Sequence, residues 1–221
     1  MLSCVPWLDA QGWTTVGSQE RRTRERAETR ERILEAAREM FVQHGYEATT
    51  MRAIADRIEY TPTAIYHHFR SKEALLTELA NLDFRSLAGA FQRIGRVADP
   101  LERLRLTGQA YVEFALKHPM QYQLMFMTRK PAGVADMHKG RGDPGEDAYA
   151  FLRETCKAAV ASGRLRSEFD DPEELAQIAW SSLHGLMALH IVRHDHSVIE
   201  WRDPKRTAAR MGEALIRGLQ A

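Results

Sequence analysis

The sequence of residues 49–69 is TTMRAIADRIEYTPTAIYHHF, and it predicts two short helices joined by a tight turn. Thr49 or Thr50 is placed to cap the first helix. Thr61 caps the second, and Pro62 occupies its first position, where a missing N–H costs nothing. This arrangement is typical of a helix-turn-helix that binds duplex DNA.

The second helix of this segment predicts a face for contact with base edges and phosphates. With Ile65 set toward the core and 100° per residue, the side chains that point away are short, polar or flat. Such groups let a helix lie deep in a major groove. The predicted face consists of Thr63, Ala64, Tyr66 and His67.

Two helix starts predict contacts with phosphate. One is at Thr49 and Thr50, with Arg52 on the first turn of the helix, and the other is at Ser71. Ser71 caps a helix whose first residue is Lys72, a cation that opposes the helix dipole unless an anion lies nearby. Because helix N-termini bind phosphates through free N–H groups, we expect a phosphate clamp there. The predicted DNA-binding residues are Thr49, Thr50, Arg52, Thr61, Thr63, Ala64, Tyr66, His67 and Lys72.

Helical periodicity continues on both sides of this segment, and no alternating strand pattern is found. The sequence therefore predicts an all-α protein, with an N-terminal three-helix DNA-binding domain and a helical C-terminal domain for ligand binding and dimerisation. The predicted domains are 28–75 and 76–221. Predicted helices cover 29–44, the two short segments above, a helix from Ser71 toward Ile94, and then about 100–117, 119–129, 146–162, 171–193 and 203–220, with a loop from Lys130 to Gly145.

Residues 1–27 are unlike the rest, and we expect a flexible arm or an extension from an upstream start codon. The segment lacks the basic and apolar regions of a signal peptide. Its end alternates arginines at 21, 22, 24 and 26 with glutamates at 20, 25 and 28. The simpler interpretation is a solvated charge run, and the alternative is a tail along phosphates or in the minor groove.

Composition limits the class of protein. The chain has 221 residues, a net charge of +1 and only two cysteines, Cys4 and Cys156. These make neither a disulfide framework nor a metal-ligand pattern, so a reducing cytoplasm fits and no cofactor is expected. No apolar run approaches the roughly 20 residues of a membrane span, so no membrane partner is expected.

The N-terminal segment resembles the DNA-binding domain of the TetR/AcrR family of transcriptional regulators over about residues 27–87. The matching segments are Ile33 to Gly45, Thr49-Thr50, Ile54-Ala55, Thr61-Pro62, Ile65 to Phe69 and Ser71 to Leu76. The resemblance implies a homodimeric repressor that binds a palindromic operator and is released by a small ligand. One departure is the turn, where Glu59 and Tyr60 replace the family's glycine and aliphatic residue; a non-glycine residue there costs about 1 kcal/mol.

The C-terminal part resembles a family subgroup marked by Trp-His-Gly, through Trp180 and His184-Gly185, with His118-Pro119 upstream. Methionines and aromatics near residues 119–127 form adaptable apolar walls. We expect either ordinary core there or an effector cavity with few charges, and hence an apolar or weakly polar ligand. The cavity hypothesis names Tyr111, Phe114, Tyr122, Phe126, Phe151, Trp180, His184 and Met187.

The last two helices, 171–193 and 203–220, carry apolar stripes and are predicted to form a four-helix dimer interface around a two-fold axis. A dimer places its two DNA-binding domains about 34 Å apart, which is one turn of the groove. Double-stranded operator DNA, a small-molecule effector and a second copy of the chain are thus the expected partners.

Other motifs are weaker. Residues 140–145 match G-x-G-x-x-G, but no strand precedes them. His190, His194 and His196 with Asp195 have metal-like spacing, although histidines near a helix C-terminus are favoured by the dipole. No catalytic constellation is found, so no enzyme is expected. The alternative function is a dimeric small-molecule-binding or interaction protein with a degenerate DNA-binding head.

Overall fold

A computed structural model describes residues 14–129, 131, 140–193 and 199–221, and these residues form helices and turns with a single β-bridge between Leu165 and Gln220. The predicted all-α class is confirmed. The helices within the described residues are α1 Thr14–His44, α2 Met51–Arg57, α3 Pro62–Tyr66, α4 Lys72–Phe91, α5 Pro100–Lys117, α6 Pro119–Phe126, α7 Ala148–Ala161, α8 Pro172–Arg193 and α9 Pro204–Leu219, with a 3-10 turn at Ile94–Arg96.

Helix α1 is much longer than predicted. Residues 14–27, expected to belong to a flexible arm, continue the helix toward the N-terminus. Residues 20–26 contain four arginines and two glutamates, which favour helix, and Arg21 pairs with Glu25 one turn later at 3.6 Å. The first thirteen residues of the predicted arm lie outside the described residues.

The predicted caps of α2, α3 and α4 are confirmed. The side-chain oxygens of Thr50, Thr61 and Ser71 accept hydrogen bonds from the N–H groups three residues later, at 3.1, 3.3 and 3.2 Å. Each bond satisfies one donor that the helix start leaves open. Between the two alternatives for α2, the cap is Thr50.

Helices α1 to α3 and the start of α4 surround one apolar core, which we call the head. Its fully buried members include Ile33, Phe41, Ile54 and Ile65. One member comes from further along the chain, since Leu124 of α6 is buried in the same cluster. The head is therefore sealed by a helix of the C-terminal part.

The joint between head and body also contains buried charge. Arg38 of α1 pairs with Asp83 of α4, and the two side chains are 8% and 0% exposed. Gln121 of α6 donates from Nε2 to the second carboxylate oxygen of Asp83 at 3.0 Å. A buried ion pair needs such additional hydrogen bonds to offset the loss of hydration. Three helices are thus tied at one point.

The body consists of the end of α4 with α5 to α9, packed around two further apolar clusters. Helix α8 has the predicted length but is more apolar than inspection of the sequence indicated. By length and composition its residues Pro172–Val192 satisfy the criteria for a membrane span, and 28% of the apolar window is buried. Leu189 and Val192 are more than half exposed, so one face of α8 has no cover in the single chain.

The turn between α2 and α3 is the departure noted in the sequence. Glu59 has φ of 59° and is the only described non-glycine residue with positive φ. Its N–H donates to Asp56 O at 3.3 Å, and Tyr60 N–H donates to Ala55 O at 2.9 Å. These two bonds define a Schellman motif, which normally has glycine at the position of Glu59.

Tyr60 compensates in part for the strain. The guanidinium carbon of Arg32 lies 5.2 Å from the centre of the Tyr60 ring, a cation–π distance. The turn is therefore fastened to α1, and α3 keeps a defined angle to the head.

We predict that Glu59→Gly raises the free energy of unfolding by about 0.5–1 kcal/mol. Relief of the left-handed strain outweighs the greater freedom of glycine in the unfolded chain. Urea denaturation followed by circular dichroism measures the change. Glu31→Gly, an exposed site inside α1, is the control and is expected to lower stability by about 1 kcal/mol. A loss of stability in Glu59→Gly would show that Tyr60 and Arg32 require the glutamate.

Candidate DNA-binding surface and cavity

The face of α3 predicted to contact DNA is exposed. Tyr66 is 52% exposed, and Thr63 and His67 are also exposed, whereas Ile65 is fully buried. Ala64 is half-buried at the edge of the face. The helix has only five residues, so its orientation depends on the Thr61 cap, the Tyr60 turn and the buried Ile65.

The predicted DNA-binding residues near the start of α2 differ in exposure. Thr50 and Arg52 are exposed, and so is the cap Thr61 of α3. Thr49 is 0% exposed and donates its hydroxyl hydrogen to the carbonyl of Gly45 at 2.8 Å. The prediction that Thr49 contacts DNA is inconsistent with this position, because its side chain is used to close the α1–α2 turn.

Lys72 has a different place from the one expected. Its Nζ donates to the carbonyls of Tyr46 at 2.7 Å and Thr49 at 2.9 Å, and lies 4.1 Å from the centre of the Tyr46 ring. The ammonium group therefore binds carbonyls of the α1–α2 turn and is not free for phosphate. In the described structure Lys72 positions the start of α2, and its predicted phosphate contact stays a prediction.

Glu73 completes this attachment of α4 to the turn. Tyr46 donates its hydroxyl hydrogen to Glu73 Oε1 at 2.8 Å. The backbone N–H of Glu73 itself and the Tyr46 hydroxyl hold the pKa of the carboxyl below its usual range. Burial, together with this acceptor, raises the pKa of Tyr46.

Sequence inspection missed the residue that fixes the far end of α3. The Arg30 guanidinium lies 4.2 Å from the centre of the Phe69 ring and donates to the carbonyl of His68 at 3.0 Å. It also donates through Nε to Glu78 of α4 at 3.0 Å. No local pattern indicates this, because the partners are 38 to 48 residues away.

The body contains a partly open cavity of about 720 Å³ lined by residues of α4, α5, α7, α8 and α9, with one side chain from α6. Its size is within the range of small-molecule sites. Tyr111, Phe126 and Trp180 line it, as predicted. The other five predicted residues do not line it: Phe114, Tyr122, Phe151, His184 and Met187.

Four of those five residues are buried in the core of the body, and His184 is half-buried. Tyr122 and Met187 are fully buried, and Phe114 and Phe151 are less than a tenth exposed, within the body core. The prediction failed because periodicity identifies the buried face of a helix and does not distinguish its packed part from its cavity part.

The lining is also more charged than predicted. Small residues of α9, Ala208, Ala209 and Gly212, face the cavity together with apolar groups such as Leu87 and Leu183. The charged lining residues are Arg105, Glu113, Arg141, Asp147, Lys205, Arg206 and Glu213. This cavity therefore has more charged lining residues than the set named from the sequence, which left out α9 and the segment before α7.

A polar network links the cavity wall to the core. Trp180 Nε1 donates to the Tyr111 hydroxyl at 3.2 Å, and the hydroxyls of Tyr111 and Tyr122 lie 2.9 and 2.7 Å from Nδ1 of His184. Burial lowers the pKa of His184 and raises the pKa of Tyr111 to about 12. Both shifts favour the neutral forms of His184 and Tyr111 in this network.

The weaker motifs give no site within the described residues. Gly140 and Gly142 have positive φ in turns before α7, and no strand precedes them in the described part of the chain. No group of three potential metal ligands is found among the described residues. His194, Asp195 and His196 lie outside them.

Comparisons with known proteins identify both parts of the chain. The family described as "Bacterial regulatory proteins, tetR family" matches residues 33–79, and "Tetracyclin repressor-like, C-terminal domain" matches residues 104–215. The "HTH-type transcriptional repressor Rv1474c" of Mycobacterium tuberculosis is 38% identical over 184 residues, which cover 83% of this chain and 89% of that protein. The Trp-His-Gly subgroup stays a prediction.

Solved structures share the fold. The TetR family transcriptional regulator PfmR from Thermus thermophilus superposes with a TM-score of 0.65 and 25% identity, over 86% of this chain and 96% of its own. The fatty acid degradation regulator FadR from Bacillus halodurans superposes with a TM-score of 0.70 over 86% of this chain and 95% of its own. At 15% identity the second likeness shows the fold alone.

We predict that Lys72→Gln lowers the free energy of unfolding by about 2 kcal/mol, because two carbonyls lose a charged donor. Thermal or urea unfolding without DNA measures this. Arg70→Gln, which removes an exposed cation two residues earlier, is the control and should change stability by less than about 0.5 kcal/mol. Unchanged stability in Lys72→Gln would show that Lys72 does not stabilise the fold, and phosphate binding would be its remaining role.

Proposed function

The chain belongs to the TetR family of bacterial transcriptional regulators, and we propose that it is a repressor that binds a palindromic operator as a homodimer and is released by a small effector. The observation that carries the proposal is the exposed face of α3, Thr63, Tyr66 and His67, on a head that is fixed by caps and a buried core. The relatives are transcriptional regulators. Such a regulator acts in the cytoplasm.

The proposed DNA contacts follow from chemistry and exposure. Tyr66 and His67 donate hydrogen bonds to phosphate oxygens or base edges, and the methyl groups of Thr63 and Ala64 contact thymine methyls. Thr50, Arg52 and Thr61 extend the surface at the helix starts, where free N–H groups favour phosphate. Thr49 is left out of this proposal because it is buried.

The uncovered face of α8 supports the proposed homodimer. Leu189 and Val192 are 56% and 52% exposed, and Ile199 before α9 is 50% exposed. Large exposed apolar side chains are typical of interaction surfaces. A second copy would cover them through α8 and α9 and give the isologous contact that a palindromic operator requires.

The cavity supports effector control. Its aromatic and aliphatic wall suits an apolar body, and its charged lining suits a polar group on the same molecule. The effector that we propose is thus a small amphipathic molecule rather than a purely apolar one. An effector changes operator affinity only through different affinities for the two states of the protein.

The alternative function, a ligand-binding protein with a degenerate head, rests on the unusual turn residues Glu59 and Tyr60. The turn forms both hydrogen bonds of a Schellman motif and leaves the α3 face exposed. We therefore favour the DNA-binding function.

We predict that the chain forms a specific, salt-sensitive complex with the region upstream of its own gene at nanomolar concentration. Tyr66→Ala with His67→Ala is expected to weaken it roughly 100-fold, since each lost contact costs about 1–3 kcal/mol. Fluorescence anisotropy or gel shift with unlabelled competitor measures the affinity.

The matched control is Gln43→Ala with His44→Ala, which also removes a polar residue and a histidine from an exposed part of the head. This control should bind DNA like the unmodified chain. Equal affinities of all three proteins would exclude the α3 face as the contact surface, and absence of any specific complex would exclude a regulator of its own gene.

A further inference from the structure

The N-terminal half of α1 extends beyond the packed head. The first residue of α1 in the head core is Ile33, and residues 19–28 are all exposed. At about 1.5 Å per residue, this exposed stretch is roughly 14 Å long. A helix that packs on nothing for this length is stabilised by its own charged pairs or by a partner.

The charges on this extension are separated by face. Taking 100° per residue and Arg30 as the origin, Arg26 lies at about −40° and Arg22 at about −80°. Within residues 19–30, the sector from about −80° to +60° contains no acidic residue, and its members are Gln19, Arg22, Thr23, Arg26, Ala27 and Arg30. The acidic residues fall outside it: Glu20, Glu25, Glu28 and Glu31.

The opposite face has its own pairing. Arg21, at about 180° on the same wheel, lies 3.6 Å from Glu25. Arg22 and Arg26 are in no ion pair with any other described residue. Two cations aligned on an acid-free face of an exposed helix are therefore available to an anionic partner.

The acid-free face begins at the end of α3. Arg30 on that face donates to the carbonyl of His68 at 3.0 Å and covers the Phe69 ring. Arg26, one turn further out, lies close enough that its charge helps to lower the pKa of His68, after burial as the main cause. His68 directly follows His67 of the DNA-contacting face, so the two surfaces are continuous.

We propose that the acid-free face of α1 binds the phosphate backbone of the operator beyond the base pairs contacted by α3, through Arg22 and Arg26. This inference rests on the proposed function and extends its surface. Duplex DNA is the occupant because the face is cationic, has little apolar area, and continues a DNA-contacting surface. Phosphate contacts of this kind add affinity without sequence preference.

The test compares two double variants of equal charge. Arg22→Gln with Arg26→Gln removes the cations of the acid-free face, and Arg21→Gln with Arg24→Gln removes two cations from the remaining faces of the same helix. Glutamine keeps the helix propensity close to that of arginine, and circular dichroism checks helix content. The probe is a duplex selected from a random-sequence pool by the unmodified full-length chain.

Affinity for this duplex is measured by anisotropy between about 50 and 200 mM salt. Each lost phosphate contact reduces the slope of log K against log salt by about 0.9. We expect Arg22→Gln with Arg26→Gln to reduce it by about 1.8 for each bound protomer, and to weaken binding at least 10-fold. The Arg21 and Arg24 pair of substitutions should leave the slope nearly unchanged.

The proposal would be overturned if both double variants showed the same salt slope and the same loss of DNA affinity. In that case the number of positive charges would determine binding, and their position on the helix would not. That result leaves the proposed function standing, because the unmodified chain still binds the selected duplex. Failure of the unmodified chain to select or bind any duplex would overturn both.

Discussion

The buried ion pair between Arg38 and Asp83 is the constraint on which the arrangement of head and body depends. Two charges removed from water are costly unless their geometry and remaining hydrogen bonds are satisfied. Gln121 supplies one of these bonds to Asp83, and Leu124, three residues later on α6, fills the head core. The position of α6 therefore determines the position of α1 relative to α4.

Helix α6 also contributes to the cavity wall and to the polar network next to it. Tyr122 belongs to the hydrogen-bond network with Tyr111 and His184, and Phe126 lines the cavity. In the mechanism that we propose, an effector against Phe126 shifts α6 and thereby changes the angle between the head and the body. A coupling free energy of about 1–3 kcal/mol is typical of such linkage, and in a homodimer it changes the spacing of two heads at once.

The sequence predicted the parts of this structure that local chemistry determines. Capping residues such as Thr61 and Ser71 act within three residues of themselves, and the position of Ile65 fixes the α3 face by helix geometry alone. Contacts distant in sequence were missed. Lys72 binds carbonyls 23 to 26 residues away, and Thr49 is buried because the α1–α2 turn folds over it. The cavity required the packing of five helices, so five of its eight predicted residues lie outside its lining.

Native-state hydrogen exchange tests the central claim that head and body form one cooperative unit through the joint at Arg38, Asp83 and Gln121. We predict that α1–α2 amides near Ile33 and Ile54 and α7–α8 amides exchange with the same opening free energy in the unmodified chain. In Asp83→Asn, which removes the buried counter-charge of Arg38 and leaves it only the exposed Glu35, the head amides should lose about 3 kcal/mol of protection and the body amides much less. Head amides that already open independently in the unmodified chain, or an equal loss in head and body of the variant, would contradict the account.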